Sequence, residues 1–394
     1  MTSVRPIYLD HHATTPVDPR VLQTMLPYFT QLFGNASSRQ HAFGWQAEEA
    51  VEQARQQVAQ LIGARAKEIV FTSGATEANT LAIRGAVAAR RDRGAHVVVV
   101  TTEHKAVLDV CAALEREGCT VTRVPVERDG RVDRGRFAAA LRPDTVLASV
   151  MTANNEIGVI HPVRELAQAC RAGGVWLHTD AVQAAGHVPV DVEALDVDLA
   201  SLSAHKMYGP KGVGALYVRR TPKVVIEPQV VGGGQERGLR AGTLNVPGIV
   251  GFGAAAAICR AEMAVEAVRV AALRDRLLEG LRGGLGDVTV NGSMTFRLPH
   301  NLHVSFDGVD GEALMTSLAD DVAVSSGSAC ASGSREPSHV MTALGREAAD
   351  SWGAVRFGLG RGTTADEIDL AVERVCEHVS RLRAMSPVAT GARA

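Results

Sequence analysis

Apolar residues follow two rhythms along this chain. Ile69 to Phe71, Val97 to Val100, Val121 to Val126, Val146 to Val150, Val175 to Thr179 and Val197 to Leu202 are short runs, largely apolar and mostly β-branched. Such runs predict buried strands. Elsewhere the apolar positions recur at three and four. Ala47, Ala50, Val51, Ala54, Val58, Leu61 and Ile62 predict an amphipathic helix from Trp45 to Ile62, closed by Gly63. Helices are also predicted from the Thr72–Asn79 stretch to about Arg90 and over Val163 to Arg171. Strands alternating with helices give an α/β fold whose mostly parallel sheet is covered on both faces. Val213 to Val218 reads as a last, antiparallel strand. Ile7 to Leu9 reads as a short strand and Pro19 to Phe29 as a first short helix.

The pattern changes after Val218. Gly232 to Gly234 and Arg240 to Thr243 suggest a flexible connection. An alanine-rich helix from Pro247 to about Arg282 follows and is expected to join two domains. Asn301 to Phe306, Val322 to Ser325 and Val355 to Leu359 are strand-like pieces of a smaller α+β domain. The expected boundaries are 16–260 for the large domain, with 1–15 and 261–394 forming the small one. At 394 residues the chain exceeds the size at which one core keeps growing, about 250–300 residues.

Polar residues gather where the apolar runs stop: His104, Asn155, Asp180, Gln183, Ser203, His205 and Lys206. In open α/β sheets ligands bind beyond the carboxyl ends of the strands. Lys206 sits in Ser203-Ala-His-Lys-Met-Tyr-Gly-Pro-Lys-Gly212, where glycines let the backbone approach a ligand closely. A lysine amine held in a pocket can form a Schiff base with a carbonyl compound, and pyridoxal phosphate is the usual one. A surface loop lysine is the plain alternative. Asp180 suits a pyridine nitrogen and Gln183 a ring oxygen. Thr76, Ser203 and His205 suit a phosphate, the first at a strand–glycine–helix junction. His104 could cover the ring or move protons. Cys330 lies among small residues, Ser325 to Arg335, as an accessible nucleophile would. Arg356 could clamp a carboxylate.

Composition narrows the field. Lys and Arg total 41 against 43 Asp and Glu, so neither nucleic acid nor an anionic membrane is an expected partner. Met1 to Thr15 holds no apolar signal core, and no unbroken apolar run reaches the roughly 20 residues of a membrane span, so a cytoplasmic chain is expected. Its six cysteines form no CxxC pair and are expected as thiols; the five besides Cys330 look inert.

Several stretches together carry a family resemblance: Tyr8-Leu-Asp-His-His-Ala-Thr-Thr-Pro16, Phe71-Thr-Ser-Gly-Ala-Thr-Glu77, Thr102-Glu-His-Lys105, Asn154-Asn-Glu-Ile-Gly158, Thr179-Asp-Ala-Val-Gln183, Ser203 to Gly212, Arg240-Ala-Gly-Thr243 and Ser326-Gly-Ser-Ala-Cys330. The chain resembles the IscS/NifS-type cysteine desulfurases, pyridoxal-phosphate enzymes of the aminotransferase class V fold (fold type I), from Tyr8 to about Pro387. The resemblance implies that Lys206 carries the cofactor and that Asp180 binds its ring nitrogen. It implies Gln183 and Asn155 at the ring oxygen, His104 stacked on the ring, and Ala75, Thr76, Ser203 and His205 at the phosphate. Thr243 would reach the phosphate from the partner subunit of a homodimer. Arg356, with Asn35, would bind the carboxylate of L-cysteine, and Cys330 would take its sulfur as a persulfide. The sulfur acceptor would be an iron–sulfur scaffold or another protein. No metal ligand set is expected. Val388 to Ala394 depart from the longer docking tail usual in that family. Selenocysteine lyase or another class V lyase or transaminase is the sibling reading. A non-catalytic phosphate-ligand binder or scaffold is the reading from another class.

Overall fold

The computed structural model describes residues 6–326, 338–346 and 353–385. Seven strands make the main sheet: β2 (Ile69–Thr72), β3 (His96–Val100), β4 (Thr120–Val124), β5 (Thr145–Ser149), β6 (Trp176–Asp180), β7 (Leu199–Ser203) and β8 (Gly214–Val218). Their order is β2-β8-β7-β6-β5-β3-β4. Neighbours from β4 across to β7 are parallel, whereas β8 runs antiparallel to both β7 and β2. Only residues 204–213 join β7 to β8. That is short of the dozen or so residues a parallel crossover needs, so the lysine loop itself imposes the reversal.

Along β3 the side chains alternate between two apolar cores. Val98 and Val100 join a cluster with α3 (Ala42–Leu61) and α7 (Val163–Ala172), and Val97 and Val99 one with α4 (Ala75–Ala89) and α5 (Lys105–Arg116). Both faces are therefore buried, which is why the run is apolar throughout rather than alternating. A third core lies under a three-stranded antiparallel sheet, β12-β10-β9, made of β9 (Val288–Val290), β10 (Asn301–Phe306) and β12 (Ala354–Gly358). Two helices cover it: α8 (Val246–Leu285), and the chain's last described helix (Ala365–Met385). Helix α8 has 40 residues and so runs about 60 Å, long enough to serve both the large and the small core. By length and composition α8 could cross a bilayer, although no unbroken apolar run announced it; half of its most apolar stretch is buried here against other elements. A two-stranded parallel ribbon pairs β1 (Ile7–Tyr8) with β11 (Val322–Ala323).

Three expectations change. The first helix is two, α1 (Pro19–Met25) and α2 (Pro27–Thr30), because Pro27 has no N–H to continue the ladder. The strand expected over Val322 to Ser325 stops at Ala323, and Ser325 keeps only an isolated bridge to Arg356. The glycine-rich connection is pinned rather than loose. Its Glu236 is buried and accepts two bonds from Arg55, each 2.7 Å, and one from the Phe71 N–H, also 2.7 Å. Arg240 pairs with Glu77 in the first turn of α4 at 2.7 Å.

Removing one member of a buried ion pair leaves the other charge uncompensated. Glu236→Ala should therefore destabilise the protein by about 3–5 kcal/mol in urea denaturation, and Glu236→Gln by clearly less.

Candidate active site

The parallel strands end on one side of the sheet, and a cavity of about 490 Å³ opens there. Lys206 lies in the turn after β7. Its Nζ donates to the carbonyls of His12, 2.5 Å away, and Ala13, 2.7 Å away. Two residues on, Tyr208 adopts a left-handed φ of 65°, which a tyrosine rarely takes. Its N–H donates to Thr15 Oγ1 at 2.8 Å, its ring lies under the Arg361 guanidinium, and its hydroxyl accepts the Arg361 N–H. These contacts hold the strained turn that presents Lys206.

Asp180 ends β6 and is buried. Oδ2 accepts from Asn79 Nδ2 at 2.8 Å, and Oδ1 from the Val182 N–H at 3.0 Å. Both bonds fix the direction of the side chain. Asn79 comes from the first turns of α4, whose leading N–H groups face no carbonyl of their own helix. The turn before α4 presses against Gly214, where a Cβ would stand 2.7 Å from the Gly74 carbonyl carbon. Only glycine lets this turn sit so close to β8.

His104 caps α5: Nδ1 accepts from the Ala106 N–H at 3.1 Å, so any ring proton sits on Nε2. Burial lowers its pKa, and the nearby Asp180 charge opposes that shift. His205 sits beside Thr14 Oγ1 at 3.1 Å, and burial, then Lys206 and Lys211, brings it down to about 4. Gln183 donates to the His12 carbonyl at 3.1 Å. Arg356 reaches in from β12, held by Asp10 at 2.7 Å and the Asn155 carbonyl at 2.8 Å.

Lys206, His104, Ala75, Thr76, Asn155, Asp180, Gln183, Ser203, His205 and Arg356 all line this cavity. Asn35 and Thr243 do not; both are exposed, and the Asn35 side chain instead accepts from the Ser37 N–H. Cys330 lies outside the described residues. Sequence reasoning gave no role to Asn79, His12, Thr14 or His339, which the structure brings to the site. Asn79 and His12 stood inside motifs already singled out, but which side chains of a loop face inward has no periodic signature. The cysteines read as inert are buried or half-buried; burial pushes Cys111 and Cys170 up to about 12 and Cys259 to about 11.

The family profile described as Aminotransferase class-V matches residues 7–371. The chain belongs to this family. It is 61% identical over 383 residues to the cysteine desulfurase IscS of Anaeromyxobacter sp. (strain Fw109-5), covering 97% of this chain and 95% of that one. It is 54% identical over 385 residues to the cysteine desulfurase IscS of Shewanella sp. (strain MR-4), with the same coverage of each. Among solved structures, a NifS-like protein superposes with a TM-score of 0.89 at 36% identity, covering 96% of this chain and all 100% of the other. DndA from Streptomyces lividans gives 0.76 at 41% identity, covering 88% and 97%. Enzymes of this family depend on pyridoxal phosphate.

The site meets what that group needs. It offers a lysine amine, a buried carboxylate fixed by two donors, a helix start with unpaired N–H groups, and His12, whose ring nitrogens find no partner among the described residues. Burial also lowers histidines beyond the site: His161 and His178 to about 4 and His303 to about 3. In the unfolded chain each would take a proton near pH 6.5. Their stabilising contribution is thus complete above about pH 6.5 and lost as the pH falls through 4. Burial pushes Glu103, Glu156 and Asp198 upward, which opposes the trend, but ten histidines are lowered by burial across the described residues. The melting temperature of the cofactor-free protein should fall steadily between pH 6.5 and 4, as read by circular dichroism.

Proposed function

We propose that this chain is a cysteine desulfurase that converts L-cysteine to L-alanine and passes the sulfur, as a persulfide on Cys330, to an acceptor protein. The observation that carries the reading is Lys206, held by the His12 and Ala13 carbonyls in the same cavity as the Asn79-anchored Asp180. The full-length similarity to cysteine desulfurases supports the choice of substrate.

Lys206 would hold the cofactor's aldehyde carbon, Asp180 its ring nitrogen, and Gln183 with Asn155 its ring oxygen. His104 would cover its face, and Ala75, Thr76, Ser203 and His205 would hold its phosphate. Bound there, pyridoxal phosphate supplies an electron sink for bond breaking beside the substrate's amino group. Arg356, set by Asp10, binds the cysteine carboxylate, an ion pair in a partly closed site. Asn35 is an exposed loop residue and would need that loop to close over the cavity to assist. Lys206 and His104 move protons at the substrate's α-carbon; burial lowers the His104 pKa, which the Asp180 charge opposes and the Lys206 charge reinforces. The Cys330 thiolate forms a bond to the substrate sulfur as the carbon–sulfur bond breaks. The electron pair stays with carbon, which takes a proton to become the alanine methyl group, and the sulfur is left at the persulfide level.

Two features support a homodimer. Leu22, Leu26, Phe29, Phe33, Phe43 and Trp45 are all large, apolar and exposed within one stretch of chain, as is Val231, 80% exposed, in the glycine-rich connection. A second copy of the chain would cover such a surface. Thr243, outside its own chain's cavity, would then serve the partner's. The separate apolar cores support a large domain over 16–260 and a small one from 1–15 and 261–394. An iron–sulfur scaffold is the acceptor the relatives' names favour.

The purified protein should be yellow, its visible band should shift on adding L-cysteine, and alanine and sulfide should appear in equal amounts under reductant. Lys206→Ala should lose the band. Cys330→Ala should keep it and lose alanine formation by at least about a hundredfold. A yellow protein that yields no alanine from cysteine would instead favour selenocysteine lyase or another sibling, tested with selenocysteine. Sedimentation should give a dimer, and Phe29→Glu with Phe33→Glu should shift it towards monomer.

A further inference from the structure

Behind Lys206 stand three buried imidazoles in contact. The ring centroids of His12 and His300 are 4.3 Å apart, nearly edge to face, and those of His300 and His187 are 3.9 Å apart, stacked at 26°. They come from three distant places: the N-terminal loop, the turn before β10, and the loop after β6. The row leads from the main cavity, which His12 lines, to a crevice of about 10 Å³ lined by His187, His300 and Glu266 under α8.

The residues at both ends of the row contact Lys206, His187 through its ring and His12 through its main chain. His187 Nε2 donates to the Lys206 carbonyl at 2.8 Å, and the His12 carbonyl accepts from Lys206 Nζ. We propose that His12, His300 and His187 form a positioning column for Lys206. His187 fixes its backbone carbonyl, His300 transmits that contact as a rigid stacked spacer, and His12 fixes its amine. The inference rests on Lys206 being the cofactor-binding lysine.

The chemistry suits imidazoles kept neutral. Burial lowers the pKa of all three, and like charges nearby add to it. Arg356, His187, Lys206 and His11 face His12, and His187, His12, His11 and Arg274 face His300; His11 and Arg361 face His187, where the bond to the Lys206 carbonyl and then Glu266 pull the other way. A neutral His187 with its hydrogen on Nε2 donates steadily to the Lys206 carbonyl. A lysine that must release a ligand and recapture it in the same pose gains from a backbone fixed on the side away from the cavity.

The test uses the holoenzyme loaded with pyridoxal phosphate and compares His187→Phe, which keeps a ring but loses the donor, with His187→Gln, which can restore the donor. The midpoint of the pH titration of the visible band should move in His187→Phe by about half a unit or more. Its kcat should fall about five- to tenfold, with KM for cysteine within about twofold. His187→Gln should recover both. An unchanged midpoint and kcat in His187→Phe would overturn the column, and so would a Gln variant as impaired as Phe. If His187→Phe does not fold, as judged by melting of the cofactor-free protein, His300→Ala carries the test: a moved midpoint is expected, and an unmoved one overturns the proposal. A wild-type protein that shows no visible band with pyridoxal phosphate would sink the Lys206 assignment itself, a separate failure read before any variant.

Discussion

The site depends on a strap of eight residues, Tyr8 to Thr15, that ties two sheets together. Leu9 donates to Ala323, and Gly358 donates back to Leu9. Asp10 holds Arg356 of β12, and the His11 N–H donates to Gly358. Further along, the Thr15 N–H donates to the His205 carbonyl, and Thr15 Oγ1 accepts from the Tyr208 N–H. One end of the strap belongs to the small sheet and the other to the lysine turn. Arg356 and Lys206 thus share a fixed geometry although they stand on different cores. Their distance is set by backbone hydrogen bonds, which vary little, and not by two long side chains.

Burial does most of the electrostatic work around this frame. Asp180 is buried yet meets two donors, which fix its direction. His104 and His205 are lowered mainly by desolvation, which favours neutral rings beside a cationic lysine. Desolvation thus sets the two rings, while hydrogen bonds set the direction of the Asp180 side chain.

Much of this was legible in the sequence, for identifiable reasons. Inner strands of the main sheet such as β3 are apolar without alternation because both faces are buried, and runs such as Val97 to Val100 announce themselves, whereas the edge strand β4 is partly exposed. The polar groups at the strand ends, His104, Asp180, Ser203 and Lys206, follow those runs directly and so could be placed together. The break at Pro27 was missed because a helical pattern continues on both sides of it. The anchoring of the glycine-rich connection was missed because Glu236 and Arg55 lie 181 residues apart. The His12–His300–His187 row was invisible for the same reason: contacts between distant loops leave no local period. Asn79 is a middle case. It lay within a recognised motif, but its bond to Asp180 spans 101 residues and appears only in three dimensions.

The strap also orders events in time. The ribosome makes residues 8–15 first, yet their partners lie 190 residues further on at His205 and 347 further on at Gly358. Contacts of such long sequence separation form late, after more local elements have condensed. The lysine turn can be closed by its strap once Tyr208 has been made, but Arg356 cannot be set by Asp10 until nearly the whole chain has been made. A nascent product cut short before Arg356 lacks the complete site.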